Sequence, residues 1–411
     1  MSKDTPKQRI VVIGGGYAGA LAAVRLAGRA RGRAAVTLVE PRTELVQRLR
    51  LHQLATGQRV RSYGLERLTG RRVENVRARA IAVDPDRGVV AVERDGRLAE
   101  VPFDQVLLAV GSTVDFESVP GAAAHAHSLA GPISAVRLRE ALRRLPEGSR
   151  VAVGGGGFTG IEAASELAGA RPDLRVSLYS AGRVGANLSP RGAEELAKRL
   201  GRLGVELVDG EEVTAVEPGG LALGSGEAKA DLVVWCGGFA AQPLARDSGL
   251  PVDSRGLLVV DPTLRSVGHA NVLGAGDAAA IPDFPNGARY RMTCQAGMPS
   301  GAHAADTALA ALRGEDPAPF DFGYIHQPLS LGRRDGLIQW VDRADRPKEK
   351  VLVGRRAALY KEIVTRSAVP SIGWERRLPG LLRWPGSGKA AVGAAADVVG
   401  LGATGAGRRR R

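Results

Sequence analysis

The stretch IVVIGGGYAGALAAVRLAGRARGRAAVTLVE, residues 10–40, decides the fold of this chain. Its first four residues are apolar and predict a short buried strand. An Ala- and Leu-rich pattern then predicts a helix, and a second strand is predicted at 36–39, just before Glu40. This order of strand, glycine-rich turn, helix, strand and acid indicates a unit that binds a dinucleotide.

The glycine-rich turn has the spacing GxGxxG, formed by Gly14, Gly16 and Gly19. The first glycine permits a tight turn, the second lets the backbone approach a pyrophosphate, and the third lets helix and strand pack closely. Free N–H groups at the helix start attract the pyrophosphate. Glu40, 21 residues after Gly19, can accept hydrogen bonds from ribose hydroxyls. A glycine turn without a ligand is the alternative, and the complete order of features favours the nucleotide.

The same plan repeats at residues 151–180, which read VAVGGGGFTGIEAASELAGARPDLRVSLYS. Gly155, Gly157 and Gly160 form a second GxGxxG, and a strand is predicted at 176–179. Two nucleotide-binding units in one chain imply two nucleotides. Two nucleotides bound side by side imply electron transfer between them.

Each unit is followed by short apolar runs separated by turn residues, at 72–112 and 205–238. This pattern predicts a small antiparallel sheet, or meander, in each unit. Further on, residues 271–279 read NVLGAGDAA, which predicts a strand that ends near Gly276 and Asp277. A carboxylate at such a strand end can take hydrogen bonds from a ribityl chain.

Composition limits the remaining possibilities. At 411 residues, with 44% apolar content, the chain is expected to form two or more globular domains. No window approaches the ~20 consecutive apolar residues of a membrane-spanning helix, and the polar start predicts no secretory signal. Cys236 and Cys294 form no CxxC, which argues against a redox dithiol, a metal cluster or a disulfide framework. A cytoplasmic protein without a metal site is therefore expected.

The positive charge is concentrated at the C-terminal end. The formal net charge is +14, and residues 341–411 contain 16 Lys and Arg against 6 Asp and Glu. Such a segment either aids solubility or attracts anionic lipid or nucleic acid. With the tryptophans at 340, 374 and 384, this segment suits a membrane surface at least as well as nucleic acid. The Gly-, Ala- and Arg-rich residues 379–411 are expected to be flexible.

Over about residues 9–312, these motifs together resemble the pyridine nucleotide–disulfide oxidoreductase superfamily. Within it, the chain is most similar to the type II NADH dehydrogenases and their soluble NAD(P)H:acceptor relatives. The motifs that carry the resemblance are GGGYAG, GGGGFTGIEAASELA, the Gly237-Gly238 turn and GAGDAA. The resemblance implies an α/β fold with two Rossmann-like domains, each with an inserted meander, and a small C-terminal domain. The implied segments are 8–120 and 251–315 for FAD, 121–250 for NAD(P)H, 316–378 for the C-terminal domain and 379–411 for the tail.

The resemblance also implies site residues. FAD would lie on the first glycine turn, with Glu40 at its adenosine ribose and Asp277 at its ribityl and pyrophosphate end. Glu162 would face the nicotinamide, although it could merely orient the helix after Gly160. The helix predicted at 292–312 would place Gln295 and Ala296 beside the isoalloxazine. Glu162 and Gln295 are the predicted catalytic residues. The predicted cofactor-binding residues are Gly14, Gly15, Gly16, Tyr17, Ala18, Gly19, Glu40, Arg42, Gly111, Gly155, Gly157, Gly160, Ser180, Arg183, Gly238, Gly276, Asp277, Gln295 and Ala296.

Two positions depart from the family pattern. NADH-specific relatives have an acid at the end of the second fingerprint, where this chain has Ser180 with Arg183 close behind. This change predicts that NADPH is used at least as well as NADH. Quinone reductases of the family tend to show Ala-Gln-x-x-x-Gln, whereas this chain has Pro299 at the second glutamine position.

The predicted function is hydride transfer from NAD(P)H to flavin and electron transfer to a quinone or quinone-like acceptor. The alternatives are a soluble flavoprotein that reduces another small molecule, and a non-enzymatic redox sensor or interaction protein. Association of the basic tail with an anionic membrane surface, at the inner face of the cell membrane, and a homodimer are further hypotheses. No nucleic-acid partner is expected.

Overall fold

The computed structural model describes residues 7–283 and 288–386. Its core holds two five-stranded parallel sheets, each flanked by helices. The first sheet has the strand order Val272–Gly274, Gln105–Leu108, Gln8–Ile13, Ala34–Val39 and Val73–Val76. The second has the order Val205–Asp209, Arg175–Ser180, Arg150–Gly154, Leu232–Trp235 and His127–Ser128. Two sheets of the same architecture confirm the predicted α/β fold with two Rossmann-like units.

Each unit carries a three-stranded antiparallel meander, as predicted. The two meanders consist of Arg79–Asp84, Val89–Arg94 and Arg97–Pro102, and of Val213–Glu217, Gly220–Leu223 and Gly226–Lys229. The meanders are smaller than the ranges 72–112 and 205–238. The first and last strand of each range instead joins a parallel sheet. The last strand of each range, Gln105–Leu108 or Leu232–Trp235, is buried along its whole length, as suits an inner strand of such a sheet.

The helices cover the sheets and connect the two units. Their bounds are Tyr17–Arg29, Leu51–Ala55, Leu65–Thr69, Ala122–His125, Pro132–Arg144, Phe158–Ala170, Pro190–Arg202, Leu244–Asp247, Cys294–Arg313 and Arg355–Arg377, with short 3-10 helices at Arg48–Arg50 and Gly276–Ala278. Small two-stranded sheets pair Ser112–Val114 with Phe239–Ala241, Leu258–Val259 with Ala279–Ala280, and Pro282–Asp283 with Ala288–Arg289.

Close packing of two helices fixes the centre of the first unit. The helix Tyr17–Arg29 lies against Cys294–Arg313, and a Cβ at Gly301 would overlap the carbonyl oxygen of Ala18. Ala20, Leu21 and Leu26 are completely buried between the sheet and this second helix. The turn at residues 14–19 is therefore held against Gly276 and the start of the long helix.

The C-terminal part forms a three-stranded antiparallel sheet, His326–Ser330, Gly336–Val341 and Pro347–Val353, followed by the helix Arg355–Arg377. Residues 379–386 then pack against the protein: the buried carboxylate of Glu375 accepts hydrogen bonds from Gly380 N (2.6 Å) and Leu382 N (2.8 Å). The rest of the predicted flexible tail, 387–411, lies outside the described residues, and the segment boundaries given above stay predictions. None of the helices in the described ranges has the length and hydropathy that a bilayer crossing requires.

Candidate functional site

The first glycine turn has the geometry that a bound pyrophosphate needs. Gly14 has φ +105°, and a Cβ there would overlap Ala109 O, while a Cβ at Gly19 would overlap Gly14 O. A Cβ at Gly16, in contrast, would meet no atom within 4 Å, so this position borders open space. Among the described residues, no side chain caps the helix that begins at Tyr17, so its first N–H groups are available to an anion.

The second glycine turn repeats this geometry position by position. Gly155 has φ +115°, a Cβ at Gly160 would overlap Gly155 O, and a Cβ at Gly157 would meet nothing within 4 Å. The helix Phe158–Ala170 likewise starts without a side-chain cap from the described part of the chain. Two turns of one shape fit the prediction of two dinucleotides.

The acid at the end of the first unit's second strand is firmly held. Glu40 is buried, and its Oε2 accepts a hydrogen bond of 2.7 Å from Gly15 N. Arg42 donates to Glu40 Oε1 through Nε (2.7 Å) and to Oε2 through Nη2 (3.1 Å). Arg42 thus neutralises the carboxylate, and its contact with a cofactor stays a prediction.

The corner formed by Gly111, Ser112 and Asp277 contains a cation that was not predicted as a site residue. Arg48 donates to Ser112 O (2.5 Å), and the hydroxyl of Ser112 donates to Asp277 Oδ2 (2.8 Å). Gly111 and Gly276 both have positive φ, at +72° and +62°. Burial raises the pKa of Asp277, and Ser112 and Arg48 act in the opposite direction. These residues fit the ribityl and pyrophosphate end of FAD, where Arg48 would add a positive charge.

The corresponding corner of the second unit is occupied by Ser180. It is the last residue of its strand, and a Cβ at Gly156 would overlap its hydroxyl, just as Gly15 meets Glu40 in the first unit. Arg183 is exposed and forms no ion pair with residues in the described ranges. Gly238, with φ +76°, lies beside Asp115 at the crossing between the two units.

Glu162 lies where three parts of the chain meet. Its Oε1 accepts hydrogen bonds from Ser330 N (2.9 Å) and from Lys361 Nζ, and its Oε2 lies 3.9 Å from Nδ1 of His52. Lys361 Nζ also donates to Pro328 O (3.0 Å). The helix of the second fingerprint is therefore joined to the C-terminal sheet, to the C-terminal helix and to the segment after Glu40.

The electrostatics of this cluster favour a charged carboxylate beside a neutral imidazole. Burial raises the pKa of Glu162, but Lys361 and His52 lower it by more, so the net shift is downward. Burial lowers the pKa of His52 to about 4. One turn further along the helix, burial raises the pKa of Glu166, which accepts a hydrogen bond from Gln58.

Gln295 and Ala296 lie at the start of the long helix, as predicted. Gln295 Nε2 donates to His326 O (2.7 Å), which ties the first unit to the C-terminal sheet. Ala296 is buried, and Thr293 caps the helix. Burial raises the pKa of both the Cys236 and the Cys294 thiol to about 12, so neither is a thiolate at neutral pH.

A cavity of about 470 Å³ lies between the helix Leu51–Ala55 and the helix Arg355–Arg377. Lys361 forms part of its wall, so the cavity adjoins the Glu162 cluster. The residues that line it are Leu49, Gln53, Ser330, Gly332, Arg333, Arg334, Asp335, Arg355, Ala358, Leu359, Lys361, Glu362 and Thr365. Gln295 is not one of them.

The structure thus gathers the predicted residues into two glycine turns with their strand-end partners, and places Glu162 and Gln295 at the junction with the C-terminal sheet. Lys361, His52 and Arg48 were missed as site residues. A buried lysine on an otherwise ordinary amphipathic helix leaves no signal in the sequence. In the sequence, Arg48 and His52 lie in a short stretch in which polar residues alternate with leucines, 48–52, and that pattern does not identify their partners.

Comparison with known proteins agrees with this geometry. The family model "Pyridine nucleotide-disulphide oxidoreductase" matches residues 8–306. An NADH dehydrogenase-like protein of Mycobacterium tuberculosis is 34% identical, over 90% of this chain and 89% of its own length. A type II NADH:quinone oxidoreductase of Staphylococcus aureus is 25% identical, over 91% of this chain and 97% of its own.

Among solved structures, NDH2 of Plasmodium falciparum in complex with NADH has a TM-score of 0.76 at 15% identity, and covers 91% of this chain and 99% of its own. At that identity the likeness shows the fold alone. The family match covers most of the chain and both fingerprints. The chain therefore belongs to the pyridine nucleotide–disulphide oxidoreductase family, in which its similarities are to NADH dehydrogenase-like enzymes.

Proposed function

We propose that this protein is an FAD-dependent NAD(P)H:quinone oxidoreductase that works at an anionic membrane surface. The observation that carries the proposal is the contact between Glu162 and Lys361. It brings the helix of the second fingerprint directly to the wall of a cavity that can hold an acceptor. Relatives with similar full-length matches are named as quinone reductases, which supports a quinone as the acceptor.

FAD and a nicotinamide nucleotide are the cofactors that family membership and the two glycine turns support. When bound, FAD would supply two-electron chemistry between a hydride from NAD(P)H and the acceptor, and a quinone would need one further proton to leave as hydroquinone. The first turn, Glu40, Asp277 and Arg48 hold FAD, and the second turn holds the nicotinamide nucleotide. The protein thereby supplies alignment and excludes water from the reacting groups.

Ser180 and Arg183 decide the choice of nicotinamide nucleotide in this proposal. An acid at position 180 would accept from an adenosine 2′-hydroxyl and repel a 2′-phosphate. Ser180 removes the repulsion, and the exposed guanidinium of Arg183 is available to pair with the phosphate. NADPH is therefore used at least as well as NADH.

Lys361 is the proton-bearing group at the cavity wall. Its Nζ carries a positive charge that the ionised Glu162 and the carbonyl of Pro328 stabilise. A proton on this Nζ can be donated to an acceptor oxygen as the acceptor gains electrons. Glu162 then positions the lysine, and His52, neutral at pH 7, completes the buried cluster.

The C-terminal helix supports the membrane hypothesis. Leu359, Ile363 and Trp374 are 62%, 59% and 47% exposed along it, and Leu378 and Leu381 continue the apolar surface beyond its end. Arginines at 355, 356, 366, 376 and 377 lie on the same helix. Exposed apolar side chains flanked by arginine suit an interface between headgroups and acyl chains. Leu359 also lines the cavity, so a quinone could enter from that surface.

Steady-state turnover tests this function against its alternatives. Rates with NADH and NADPH should be measured against a menaquinone analogue and against a soluble dye. Turnover with the quinone supports the proposal. Turnover with the dye alone favours a soluble acceptor, and no turnover with either favours a sensor or interaction protein.

A further inference from the structure

The rim of the cavity is strongly cationic. Arg333, Arg334 and Arg355 all line it, and all three are exposed at the surface. Arg334 and Arg355 form no ion pair with any residue in the described ranges. Arg333 has one acid within reach, Glu362, at 3.8 Å from Nη2 to Oε2.

The two acids in the cavity wall already serve other arginines. Both carboxylate oxygens of Asp335 lie 2.6 Å from Nη1 of Arg199. Glu362 Oε1 accepts a hydrogen bond of 2.9 Å from Nη2 of Arg50. The fourth basic group of the wall, Lys361, is neutralised by Glu162. Arg334 and Arg355 are therefore left without a carboxylate partner among the described residues, and Arg333 shares Glu362 with Arg50.

The position of Arg355 adds to this surplus. It is the first residue of a 23-residue helix, preceded by Gly354, which offers no side-chain cap. A helix N-terminus carries a partial positive charge, so a cation there is unfavourable. An anion at the rim would interact favourably with both the helix end and the guanidinium groups.

Part of the cavity lining, in contrast, is apolar. Leu49, Ala358 and Leu359 contribute hydrocarbon surface, and Gly332 leaves the space open. A ligand that matches this cavity has a flat or apolar body and an anionic group at one end. Arginine forks bind carboxylates, sulfonates and phosphates of that kind through paired hydrogen bonds.

We propose that the acceptor carries an anionic group, which Arg333, Arg334 and Arg355 bind at the rim while its ring system enters the cavity. The inference rests on the proposed function and narrows its substrate class, from quinones in general to quinones with an acidic substituent. The arginines act on affinity for the acceptor and leave the chemical step unchanged.

The test compares two quinones of similar ring system, naphthoquinone sulfonate and the neutral menadione, with NADH in excess over the holoenzyme. The wild type should prefer the sulfonate in kcat/KM. Arg355→Gln and the double variant Arg333→Gln/Arg334→Gln should each lose about tenfold or more of this preference, through KM, because a charge-assisted hydrogen bond is removed. High salt should reduce the preference in the wild type.

Arg356→Gln is the matched control. Arg356 is exposed in the same first helical turn but does not line the cavity. Its replacement changes the net charge, and the charge near the helix N-terminus, as much as Arg355→Gln does. The preference for the sulfonate should nevertheless stay intact. The inference is overturned if the wild type does not favour the sulfonate, or if Arg356→Gln reduces the preference as much as Arg355→Gln. The inference is also overturned if the arginine variants bind phosphatidylglycerol vesicles less well than the wild type but keep its quinone preference. That result would mean that the arginines bind lipid headgroups and not the acceptor. If neither quinone is reduced, the proposed function itself fails.

Discussion

Glu162 and Lys361 form a buried ion pair although 199 residues separate them in the sequence. Their side chains are only 12% and 10% exposed. The pair joins the helix of the second glycine turn to the C-terminal helix, so the C-terminal sheet and helix belong to the site.

Removing one member of this pair should destabilise the protein strongly. Lys361→Met leaves the Glu162 carboxylate buried without its cation, and the expected loss is about 3–5 kcal/mol in the free energy of unfolding. Urea denaturation of the apoprotein measures it. The double variant Glu162→Gln/Lys361→Met should recover much of the loss, because no buried charge remains. Losses that simply add in the double variant would show that the two side chains do not interact.

His52 should make stability depend on pH. Its pKa is about 4 in the folded protein, below the usual value of 6.5, so below pH 6.5 the unfolded chain binds a proton that the folded chain does not. Stability from this residue is therefore full above pH 6.5 and falls as the pH drops towards 4. By pH 4.5 the loss is roughly 2–3 kcal/mol.

The comparison is between wild type and His52→Gln, in urea unfolding at pH 7 and pH 5. Other buried histidines contribute equally to both proteins. The depressed pKa of Glu162 acts only below its usual value of 4.5, outside this range. The variant should lose less stability than the wild type on acidification. Equal slopes would mean that His52 titrates normally.

The two kinds of glycine in the first turn should respond differently to substitution. Gly16→Val should abolish FAD binding but leave the apoprotein folded, because its Cβ meets no protein atom and its φ of −73° suits any residue. Gly19→Ala should instead cost about 3 kcal/mol of stability or more, since its Cβ overlaps Gly14 O.

FAD content and thermal unfolding of the apoproteins separate these outcomes. Gly169→Ala is the control, because Gly169 lies in the helix Phe158–Ala170 and a Cβ there would meet nothing within 4 Å. A Gly16→Val protein that retains FAD would place the pyrophosphate elsewhere.

The predicted nucleotide choice can be tested at Ser180. The wild type should use NADPH at least as well as NADH, and Ser180→Glu should shift kcat/KM towards NADH by restoring repulsion of the 2′-phosphate. Arg183→Met should lower use of NADPH alone. A wild-type preference for NADH above ~100-fold, about 2.7 kcal/mol in transition-state terms, would contradict this role of Ser180.

Membrane association should depend on the exposed apolar residues of the C-terminal helix. Leu359→Asn/Ile363→Asn should reduce co-sedimentation with anionic vesicles about tenfold, because two apolar side chains no longer enter the interface. Leu98→Asn, 74% exposed on a meander strand, is the control. A chain ending at residue 386 lacks the basic tail and so separates the contribution of the helix from that of the tail. Each Lys or Arg of the tail is expected to contribute ~1 kcal/mol to binding at low salt. Equal sedimentation of all four proteins would leave the tail as a solubility device.

The sequence could predict those parts of the fold that depend on local spacing. Both glycine turns, the strand before Asp277 and the helix that begins at Cys294 are set by residues close together in the chain. The short apolar runs at 337–341 and 351–353 also predict strands, and the structure has them within Gly336–Val341 and Pro347–Val353. These elements have strong apolar periodicity, which is the most reliable signal in a single sequence.

The contacts of the site depend on long-range packing, which periodicity does not encode. The strand His326–Ser330 reads HQPLS and lacks an alternating pattern, yet its backbone supplies the amide that binds Glu162 and the carbonyl that binds Gln295. The ion pair between Arg42 and Glu40 could not be predicted either, because an arginine in a loop after a strand suits many partners equally well.

The most direct test of the account follows the flavin's visible absorbance under anaerobic conditions. On addition of NADPH or NADH the yellow protein should bleach within the time of a catalytic turnover, and on addition of a menaquinone analogue the colour should return equally fast. A flavin that stays reduced for minutes in the presence of quinone, or a protein that binds no FAD at all, would contradict the proposal that this chain is an NAD(P)H:quinone oxidoreductase.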